Sequence, residues 1–425
     1  MKYSNPANLA IIACPGGEVF ADEVIGHLKK LYRRYNERWA KELAKRYNLT
    51  SEKVIDQINF IGDVIFPDSH VHMEKDKCVV PKLKVPVKFT CFANGEIKAE
   101  IQESIRGKDV YIFQDVENHY PLNFYGCESK TLSINDHLMT LFVTIDAARN
   151  SGAQRIILVI PNYPYARQHK VKGREGLTAG RIGRIFEQLG VCHVITLDIH
   201  SRDIMNSFTR IRLENLHASY QIIRTLSEMD GILNDDFVVV SPDTGAVDRN
   251  KFFASALKKP LALLYKERDY SKITKDATHT NISQIRLLGN VRDKTVFMAD
   301  DMLGTGGTLI KGMRILKENG ARRIICSISL PLFSGDAVSH LESAYREGLF
   351  YRIIGTNAIY QEEVLKHEWY ISVNISSLFA QVISRLHQNR SISSLLDNRE
   401  IINRLLAGTR QPEPQHELPF PLDDE

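Results

Sequence analysis

Residues 296–308 read Val-Phe-Met-Ala-Asp-Asp-Met-Leu-Gly-Thr-Gly-Gly-Thr, and the helix-favouring stretch LIKGMRILKENG follows directly. An apolar strand, two acids, a Gly/Thr loop and a helix in this order are typical of an α/β sheet whose strands end at a ligand crevice. The backbone N–H groups of such a loop, together with the helix N-terminus, form a preorganised cradle for an anion. Gly306 and Gly307 let a phosphate approach the backbone closely, and Thr305 and Thr308 add hydroxyl donors.

The acid pair Asp300 and Asp301 needs a different partner, because carboxylates beside a phosphate would repel it. Two adjacent acids at a strand end suit the 2- and 3-hydroxyls of a ribose, or a Mg²⁺ ion between sugar and phosphate. Neither GxxxxGK[ST] nor GxGxxG occurs in this loop. The loop therefore predicts a site for a 5-phosphorylated ribose, formed by Asp300, Asp301, Gly304, Thr305, Gly306, Gly307 and Thr308.

Apolar strand-like runs alternate with helical patterns along most of the chain, which favours parallel sheets covered by helices. The runs are short and continuous, as expected for strands buried on both faces; they are Arg155–Ile160, His193–Asp198, Phe237–Val240, Leu261–Leu264, Thr295–Ala299 and Arg323–Leu330. A weak internal repeat links segments 151–157 (SGAQRII) and 319–325 (NGARRII). Each ends a helical segment at a glycine and enters a strand, so the sequence predicts two similar α/β halves.

The composition excludes several classes of protein. At 425 residues the chain exceeds the size of a single hydrophobic core, and its net charge of +4 predicts neither nucleic acid nor a membrane as a partner. No apolar run approaches the roughly 18 residues of a spanning helix, and the short run from Leu9 to Cys14 predicts a first core strand. The six cysteines show no CxxC pair and no metal-ligand spacing, which favours a reduced, cytoplasmic protein; they are Cys14, Cys78, Cys91, Cys127, Cys192 and Cys326.

Two segments stand apart from this α/β pattern. Residues 28–58 are charged, favour a helix and contain neither Gly nor Pro. They predict a solvated helical hairpin or a helix that contacts a partner. Thr409–Glu425 holds four prolines and ends in acids, which is typical of a disordered tail.

Three further segments follow predicted strands: Tyr165-Ala-Arg167-Gln168, Asp198-Ile-His200-Ser201 and Ser241-Pro-Asp243-Thr-Gly245-Ala-Val-Asp-Arg249. At the carboxyl ends of parallel strands such groups point into the ligand crevice. Arg167 can clamp a phosphate through two hydrogen bonds, and Gln168 can bond an adenine or phosphate edge. His200 and Asp243 can hold a metal ion. Together these segments supply what a nucleoside-triphosphate site needs.

Taken with the acid-acid loop, these segments resemble the ribose-phosphate diphosphokinase (phosphoribosyl-diphosphate synthetase) family. The resemblance runs from about Phe92 to Asn398, and more weakly from Leu9. It includes Phe92-Ala-Asn94-Gly-Glu96, Glu103-Ser-Ile-Arg106-Gly-Lys-Asp-Val, Pro331-Leu-Phe-Ser-Gly335 and Ser391-Ile-Ser-Ser-Leu. Ordinary type I phosphoribosyltransferases carry a similar ribose loop but lack the YARQ and DIH segments.

The resemblance implies an α/β fold of two similar phosphoribosyltransferase-like (type I) domains, each a mainly parallel sheet flanked by helices. We expect the N-terminal domain at 1–215, with an inserted charged helical segment at about 28–85. The C-terminal domain, which carries the ribose-phosphate loop, is expected at 216–385. A C-terminal helix at 386–408 and the tail at 409–425 would follow.

The resemblance also implies an activity, the transfer of the diphosphoryl group of ATP to the 1-hydroxyl of ribose 5-phosphate, giving phosphoribosyl diphosphate and AMP. Mg²⁺ would be the cofactor, served by His200 and Asp243. The ATP-binding residues would be Phe92, Asn94 and Glu96, reaching the adenine from a neighbouring subunit, with Arg167 and Gln168. The catalytic residues would be His200 together with Lys266 and Arg268, the last two on a mobile lid that follows the strand Leu261–Leu264 and continues through Tyr270–Thr280.

Assembly and regulation follow from the same resemblance. Members of the family form dimers that assemble further, often to hexamers, so we expect a homo-oligomer. Ser104, Arg106 and Ser334 lie where the family has an inter-subunit anion site for phosphate activation and ADP inhibition. The expected ligands are therefore ATP and ribose 5-phosphate.

Several positions depart from the family pattern. Asn94 and His169 stand where Asp is usual, Thr244 and Ala246 interrupt a usual Gly pair, and Gly304 replaces a common Asp. Two alternatives to an active diphosphokinase therefore stay open: a non-catalytic regulatory paralogue that binds active synthetase subunits, and a phosphoribosyltransferase. The presence of the lid cations, His200, Asp243 and both loop acids favours an active enzyme.

Overall fold

The computed structural model describes residues 8–57, 82–171, 173–229, 231–233, 236–268 and 282–408. The predicted tail at 409–425, the lid stretch Tyr270–Thr280 and residues 58–81 of the predicted insertion lie outside these ranges. The chain forms two compact units: the first contains Met1–Thr196, Ser201–Asn215 and Ser376–Leu395, and the second contains Leu197–His200, Leu216–Ile375 and Leu396–Glu425. Residues 376–385, which the sequence placed in the C-terminal domain, thus lie in the first unit.

The elements alternate between strands and helices. The helices are α1 (Glu18–Tyr47), α2 (Ser51–Gln57), α3 (Ile134–Asn150), α4 (Thr178–Gln188), α5 (Ser219–Glu228), α6 (Val247–Leu257), α7 (Gly307–Glu318), α8 (Ala337–Arg346), α9 (Ser376–His387), α10 (Ser393–Leu396) and α11 (Arg399–Leu406). The strands are β1 (Leu9–Ala13), β2 (Val87–Cys91), β3 (Ile97–Ile101), β4 (Asp109–Phe113), β5 (Arg155–Val159), β6 (Val191–Leu197), β7 (Arg212–Leu216), β8 (Phe237–Ser241), β9 (Leu261–Arg268), β10 (Ile282–Leu288), β11 (Thr295–Leu303), β12 (Arg323–Pro331), β13 (Arg352–Thr356) and β14 (Tyr370–Val373).

The first unit is built on a five-stranded sheet of order β1-β4-β5-β6-β7. The pairs β1–β4, β4–β5 and β5–β6 are parallel, with Leu9 opposite Asp109 and Asp109 opposite Arg155. Every residue of β4 is buried, because helices cover both faces of a parallel sheet and leave no solvated side. A separate antiparallel hairpin, β2–β3, pairs Phe89 with Ala99.

Helix α1 has two parts with different surroundings. Its first half buries Leu28, Leu31 and Tyr32, and Phe20 meets Phe379 of α9 edge to face at 5.1 Å between ring centroids. The expectation of a solvated helix over 28–58 is therefore wrong for this half, because an apolar stripe runs along its inner face. Toward its C-terminus α1 packs on α2 through a small cluster of Ala40, Ala44 and Val54, which gives the expected helical hairpin.

The second unit is built on a seven-stranded sheet of order β10-β9-β8-β11-β12-β13-β14. All neighbouring pairs are parallel except β10–β9, which is antiparallel at the edge. The central strands β11 and β12 are buried, and α7 packs on the sheet through Leu309, Met313 and Leu316. In this unit α11 is held to α5 by a hydrogen bond from Asn398 Nδ2 to Ser219 Oγ, at 2.8 Å. No helix among the described residues is long and apolar enough to cross a membrane.

All six strands predicted from the sequence are present, and four of them (β8, β9, β11 and β12) extend beyond their predicted C-terminal ends. The extension is largest in β9 and in β11, and β11 was expected to stop at Ala299 but continues to Leu303. The reason is that β12 keeps offering backbone partners, with Asp300 opposite Ile328 and Met302 opposite Leu330. The acid pair thus belongs to the strand itself, and pairing with β12 holds its backbone in place.

Candidate functional site

The acid pair at the end of β11 lies among charged partners. Asp301 Oδ2 is 2.6 Å from His200 Nδ1, and Asp301 Oδ1 accepts the Met302 backbone N–H at 3.0 Å and lies 3.9 Å from Arg249 Nη1. Although burial acts to raise it, the His200 hydrogen bond and the Arg249 charge hold the pKa of Asp301 well below its usual value. Asp301 is therefore an ionised carboxylate fixed in one orientation.

Asp300 behaves in the opposite way. Burial, followed by repulsion from Asp301, raises the pKa of Asp300 to about 7. One of its oxygens accepts the backbone N–H of Asp301 at 2.9 Å. Asp300 thus loses its proton less readily than Asp301, and a bound cation or sugar hydroxyl donors would stabilise its ionised form.

The loop after β11 presents an open helix N-terminus. Gly306 has φ +78° and ψ −12°, a left-handed conformation that favours glycine, and no side chain caps α7. A methyl group added at Gly307 would meet no atom within 4 Å, so open space lies in front of the first helical residue. Two backbone hydrogen bonds hold the start of the loop in place. Phe333 and Ser334 donate their N–H groups to the carbonyls of Leu303 (3.0 Å) and Gly304 (3.2 Å). The first N–H groups of a helix have no partner within it, so this terminus suits an anion.

Asn250 positions the acid pair, although no sequence pattern singles it out. Strand β8 pairs with β11 only from Thr295 to Phe297. Beyond that point the buried Asn250 takes over: its Oδ1 accepts the Ala299 N–H at 2.9 Å and its Nδ2 donates to the Ala299 carbonyl at 2.8 Å. Its amide therefore substitutes for a strand neighbour directly before Asp300.

His200 is anchored through a strained turn at Asp198. This aspartate has φ +40°, which is uncommon outside glycine. Its carboxylate accepts from His217 Nδ1 (2.7 Å), the Ala218 N–H (3.2 Å) and Ser329 Oγ (2.6 Å). Although burial acts to raise it, the His217 contact lowers the pKa of Asp198 to about 2. The strain is thus held by three hydrogen bonds and directs the chain toward His200.

Asp243, predicted to bind metal, organises its own loop. Its Oδ1 accepts the backbone N–H groups of Gly245 (2.9 Å) and Ala246 (3.0 Å), directly before α6. Within the described part of the chain, no group of three or more His, Cys, Asp or Glu side chains could hold a metal ion. His200 and Asp243 therefore do not form a complete metal cage by themselves.

Arg167 and Gln168 lie in the first unit, on an exposed turn after β5. Tyr165 has φ +56°, and the Gln168 N–H donates to its carbonyl at 2.8 Å. The charge of Arg167 acts on the half-buried Glu117, which also accepts a hydrogen bond from Asn162 Nδ2 at 2.8 Å. Burial raises the pKa of Glu117 to about 6, against the opposing charge of Arg167. The turn thus presents an exposed arginine beside a carboxyl of reduced acidity.

Phe92, Asn94 and Glu96 share the tip of the β2–β3 hairpin, also in the first unit. The Phe92 N–H donates to the Glu96 carbonyl at 2.9 Å, and the Glu96 N–H donates to Asn94 Oδ1 at 3.2 Å. Phe92 is 47% exposed, which is unusual for a large aromatic side chain. The tip is therefore a hydrogen-bonded turn that exposes an aromatic ring on the surface.

The remaining predicted residues are placed as follows. Lys266 and Arg268 lie within β9, opposite Ile285 and Ile282 of β10. The expectation that they follow a strand ending at Leu264 is therefore wrong, because β10 supplies backbone partners up to Arg268. Ser104 and Arg106 are exposed in the first unit, and Ser334 is exposed in the second.

Comparison with known proteins identifies the family. Residues 73–190 match the N-terminal domain of ribose phosphate pyrophosphokinase, and residues 210–340 match the phosphoribosyl transferase domain. A ribose-phosphate pyrophosphokinase of a Nostoc species is 35% identical over 306 residues, which cover 72% of this chain and 84% of the relative. Ribose-phosphate pyrophosphokinase 2 of Enterococcus faecalis is 33% identical over 331 residues, covering 77% and 91%. The chain belongs to the ribose-phosphate pyrophosphokinase family.

The fold of a solved family structure agrees with this assignment. The crystal structure of phosphoribosylpyrophosphate synthetase from Mycobacterium smegmatis superposes with a TM-score of 0.66, covering 90% of this chain and 99% of the other at 24% identity. The predicted family and the predicted fold of two phosphoribosyltransferase-like domains are both confirmed. The matched ranges contain the hairpin tip, Arg167, Asp243 and the ribose loop, whereas His200 lies between them.

Proposed function

We propose that this chain is an active ribose-phosphate diphosphokinase of the cytoplasm, which transfers the diphosphoryl group of ATP to the 1-hydroxyl of ribose 5-phosphate. The products are phosphoribosyl diphosphate and AMP. One observation carries the proposal: a largely buried strand carries two carboxylates near its end, one of them in contact with His200, and leads into a helix whose N-terminus no side chain caps. A regulatory paralogue would have no use for a carboxylate pair held in this state.

The second unit would bind ribose 5-phosphate. The N-terminus of α7 accepts the 5-phosphate, with Thr305 and Thr308 as further donors. Asp300 and Asp301 accept the ribose hydroxyls and so orient the 1-hydroxyl for attack on the β-phosphorus. Orientation of this kind converts a bimolecular reaction into an effectively unimolecular one.

The ATP side of the proposal rests on the first unit and on β9. Arg167 and Gln168 would hold the nucleotide, and the hairpin tip with Phe92 would serve the adenine of a neighbouring subunit. Lys266 and Arg268 would place positive charge where the transferred group gains negative charge. Phosphoryl transfer depends mainly on such positioning and charge stabilisation.

The residues present fit Mg²⁺. This ion usually takes one or two protein carboxylates and completes its shell with substrate phosphates and water, so a protein cage of three ligands is not required. Burial and repulsion from Asp301 raise the pKa of Asp300, and a bound cation would offset both effects. His200, Asp243 and the acid pair are the residues that would hold the ion. When bound, Mg²⁺ would neutralise the negative charge of the substrate phosphates.

Assembly and regulation are part of the same proposal. A hairpin tip that serves a neighbouring active site requires at least a homodimer, and further assembly to a hexamer would follow the family. Ser104, Arg106 and Ser334 would then contribute to an anion site between subunits, which binds activating phosphate or inhibitory ADP. Activity measured against phosphate concentration, with molecular mass determined in the same buffer, tests both points.

The activity itself has a direct test. The purified full-length chain is supplied with Mg²⁺, ATP and ribose 5-phosphate, and AMP and phosphoribosyl diphosphate are measured. Turnover is expected, and Lys266→Ala should lower it by a factor of about 100 to 1,000 with little change in ribose 5-phosphate affinity. Absence of AMP across phosphate and Mg²⁺ concentrations would refute the enzyme. Saturable ATP binding without turnover would then indicate the regulatory paralogue, and diphosphate release from phosphoribosyl diphosphate with a free base would indicate a phosphoribosyltransferase.

A further inference from the structure

Cys91 and Cys127 are brought together in the first unit, although 36 positions separate them in the sequence. Cys91 is the last residue of β2, and its backbone N–H donates to the Tyr125 carbonyl at 3.0 Å. The backbone N–H of Tyr125 in turn donates to the Phe89 carbonyl at 2.9 Å, so the segment before Cys127 is hydrogen-bonded to β2. Both cysteines pack in one small apolar cluster, Cys91 as a buried member and Cys127 at its edge.

A cation contacts one of the two sulfurs. Lys130 Nζ lies 3.0 Å from Cys91 Sγ, and this contact raises the pKa of Lys130. Lys130 is itself fixed by two backbone hydrogen bonds with Leu122, at 2.9 and 3.0 Å, and its ammonium lies 5.6 Å from the centroid of the Phe124 ring. A nearby ammonium favours the thiolate form of cysteine, which is the nucleophilic form.

The two sulfurs differ in exposure and in their surroundings. Cys91 is 4% exposed, packs with Phe124 and Leu132 and has the Lys130 ammonium beside its sulfur, whereas Cys127 is half-buried at the rim of that cluster. Burial and the nearby Cys91 raise the pKa of Cys127, which suits the role of a resolving thiol. Redox-active pairs combine a thiolate with an adjacent resolving thiol in this way.

We propose that Cys91 and Cys127 form a reversible thiol oxidation site for peroxides. The Cys91 thiolate attacks one oxygen of hydrogen peroxide, the O–O bond breaks, and the hydroxide released takes a proton to become water. Cys127 then attacks the sulfur of the resulting Cys91 sulfenic acid, and its proton leaves with the hydroxyl group as a second water. The net change is a two-electron oxidation of two thiols to one disulfide and the reduction of one peroxide to two waters.

The choice of oxidant follows from the exposure of Cys91. Hydrogen peroxide is scarcely larger than water and can reach a sulfur that a bulky disulfide reagent cannot. The disulfide would tie the end of β2 to the segment after Tyr125, one residue before Phe92 at the hairpin tip. Disulfides of intracellular proteins are usually transient and redox-sensing, which suits a pair that a dithiol reductant can restore.

The experiment uses the full-length chain with Cys78→Ser, which removes the sixth thiol as a competitor. After treatment with hydrogen peroxide and alkylation of the remaining thiols, peptide mass spectrometry should find Cys91 linked to Cys127, and dithiothreitol should restore both thiols. Cys192 is the matched control, because it is also half-buried and its sulfur donates to the Ile156 carbonyl at 3.3 Å. It should still alkylate fully.

Two variants make the chemistry specific. In Cys127→Ser the Cys91 sulfenic acid has no resolving thiol, so a sulfenic-acid reagent such as dimedone should label Cys91. Lys130→Met should slow peroxide oxidation by a factor of about three to ten, since the thiolate loses its cation. The proposal is overturned if the folded chain shows no linked peptide while Cys91 and Cys127 alkylate as Cys192 does, or if Lys130→Met leaves the oxidation rate unchanged. No substrate enters these measurements, so their outcome is independent of the proposed enzyme activity.

Discussion

Two strand-helix-strand segments, one in each compact unit, can be compared element by element. In the first unit β4 leads through α3 to its parallel neighbour β5, and in the second β11 leads through α7 to its parallel neighbour β12. Both helices end before a glycine of positive φ, +82° at Gly152 and +86° at Gly320. The helices differ at their other end. Ser133 and Asp136 close the N-terminus of α3 by a reciprocal capping box, whereas α7 begins at Gly306 with no side-chain cap.

The difference shows where this fold keeps its ligand site. A side-chain cap occupies one of the unpaired N–H groups at a helix N-terminus, whereas an uncapped terminus can offer all of them to an anion. Of these two helices, only α7 is preceded by an acid pair, and Asp301 lies three residues before Gly304 of the loop that leads into α7. The shared architecture therefore supplies the frame, and the chemistry is decided by a few residues at one helix N-terminus.

The largest expected effect comes from Asp301→Asn, which breaks the acid pair. The variant loses the charge that His200 and Arg249 contact, and we expect turnover to fall by about 2.7–4 kcal/mol in barrier terms. Asp136→Asn at the α3 terminus is the matched control and should leave turnover unchanged. Steady-state kinetics of both variants check this. If both variants lost turnover equally, the N-termini of α7 and α3 would not differ in the way proposed, with only α7 serving the chemistry.

A second prediction probes the open space before α7. Gly307→Ala adds a methyl group that meets no protein atom, so the fold should be retained or slightly stabilised. The methyl would occupy the phosphate cradle, and we expect the KM for ribose 5-phosphate to rise about tenfold, or about 1.4 kcal/mol. Gly26→Ala in the exposed part of α1 has equally free space and serves as the control. An unchanged KM in Gly307→Ala would show that the phosphate binds elsewhere.

The ribose side of the site could be read from the sequence for a physical reason. The acids, the glycines and the threonines of residues 300–308 are contiguous, so local chain order alone brings them together. The continuous apolar runs likewise predicted the six strands, because a strand buried on both faces needs little polar sequence. Their ends were predicted less well, since the ends of β9 and β11 are set by the backbone partners that β10 and β12 provide.

Other parts of the site depend on contacts that no local pattern reveals. Asn250 replaces a strand neighbour of β11, and Ser329 and His217 hold the strained Asp198 from different strands and loops. Each is an ordinary polar residue in its own segment and gains its role only through tertiary packing. The contact of Cys91 with Cys127 belongs to the same class, because their spacing has no recognisable motif.

A third prediction isolates the structural role of the capped terminus. Ser133→Ala removes the side-chain oxygen that accepts the Asp136 N–H, so the free energy of unfolding should fall by about 1 kcal/mol. Kinetic constants should stay as in the original chain, since the α3 terminus binds no substrate in the proposed function. Denaturant unfolding together with the AMP assay measures both quantities. A change in KM without a change in stability would assign α3 a role in ligand binding.

The smallest expected effect concerns His137, in the first turn of α3. The imidazole is buried, with Nε2 2.8 Å from the Asn118 carbonyl and Nδ1 3.0 Å from Gln114 Nε2, an arrangement that suits the neutral ring. Burial lowers the pKa of His137 in the folded chain. The unfolded chain, with a pKa of about 6.5, therefore binds more protons as the pH falls, and stability must decrease below that value.

The size and sign of this dependence can be measured by comparing the chain with His137→Gln. Between pH 7 and pH 6 the histidine should cost at most about 0.7 kcal/mol of unfolding free energy, and the glutamine variant should lack this part of the pH dependence. His119→Gln, at an exposed position nearby, controls for the loss of a histidine as such. If stability instead rose as the pH fell, His137 would be charged in the folded state. The α3 terminus would then not be the capped, neutral counterpart of the open α7 terminus.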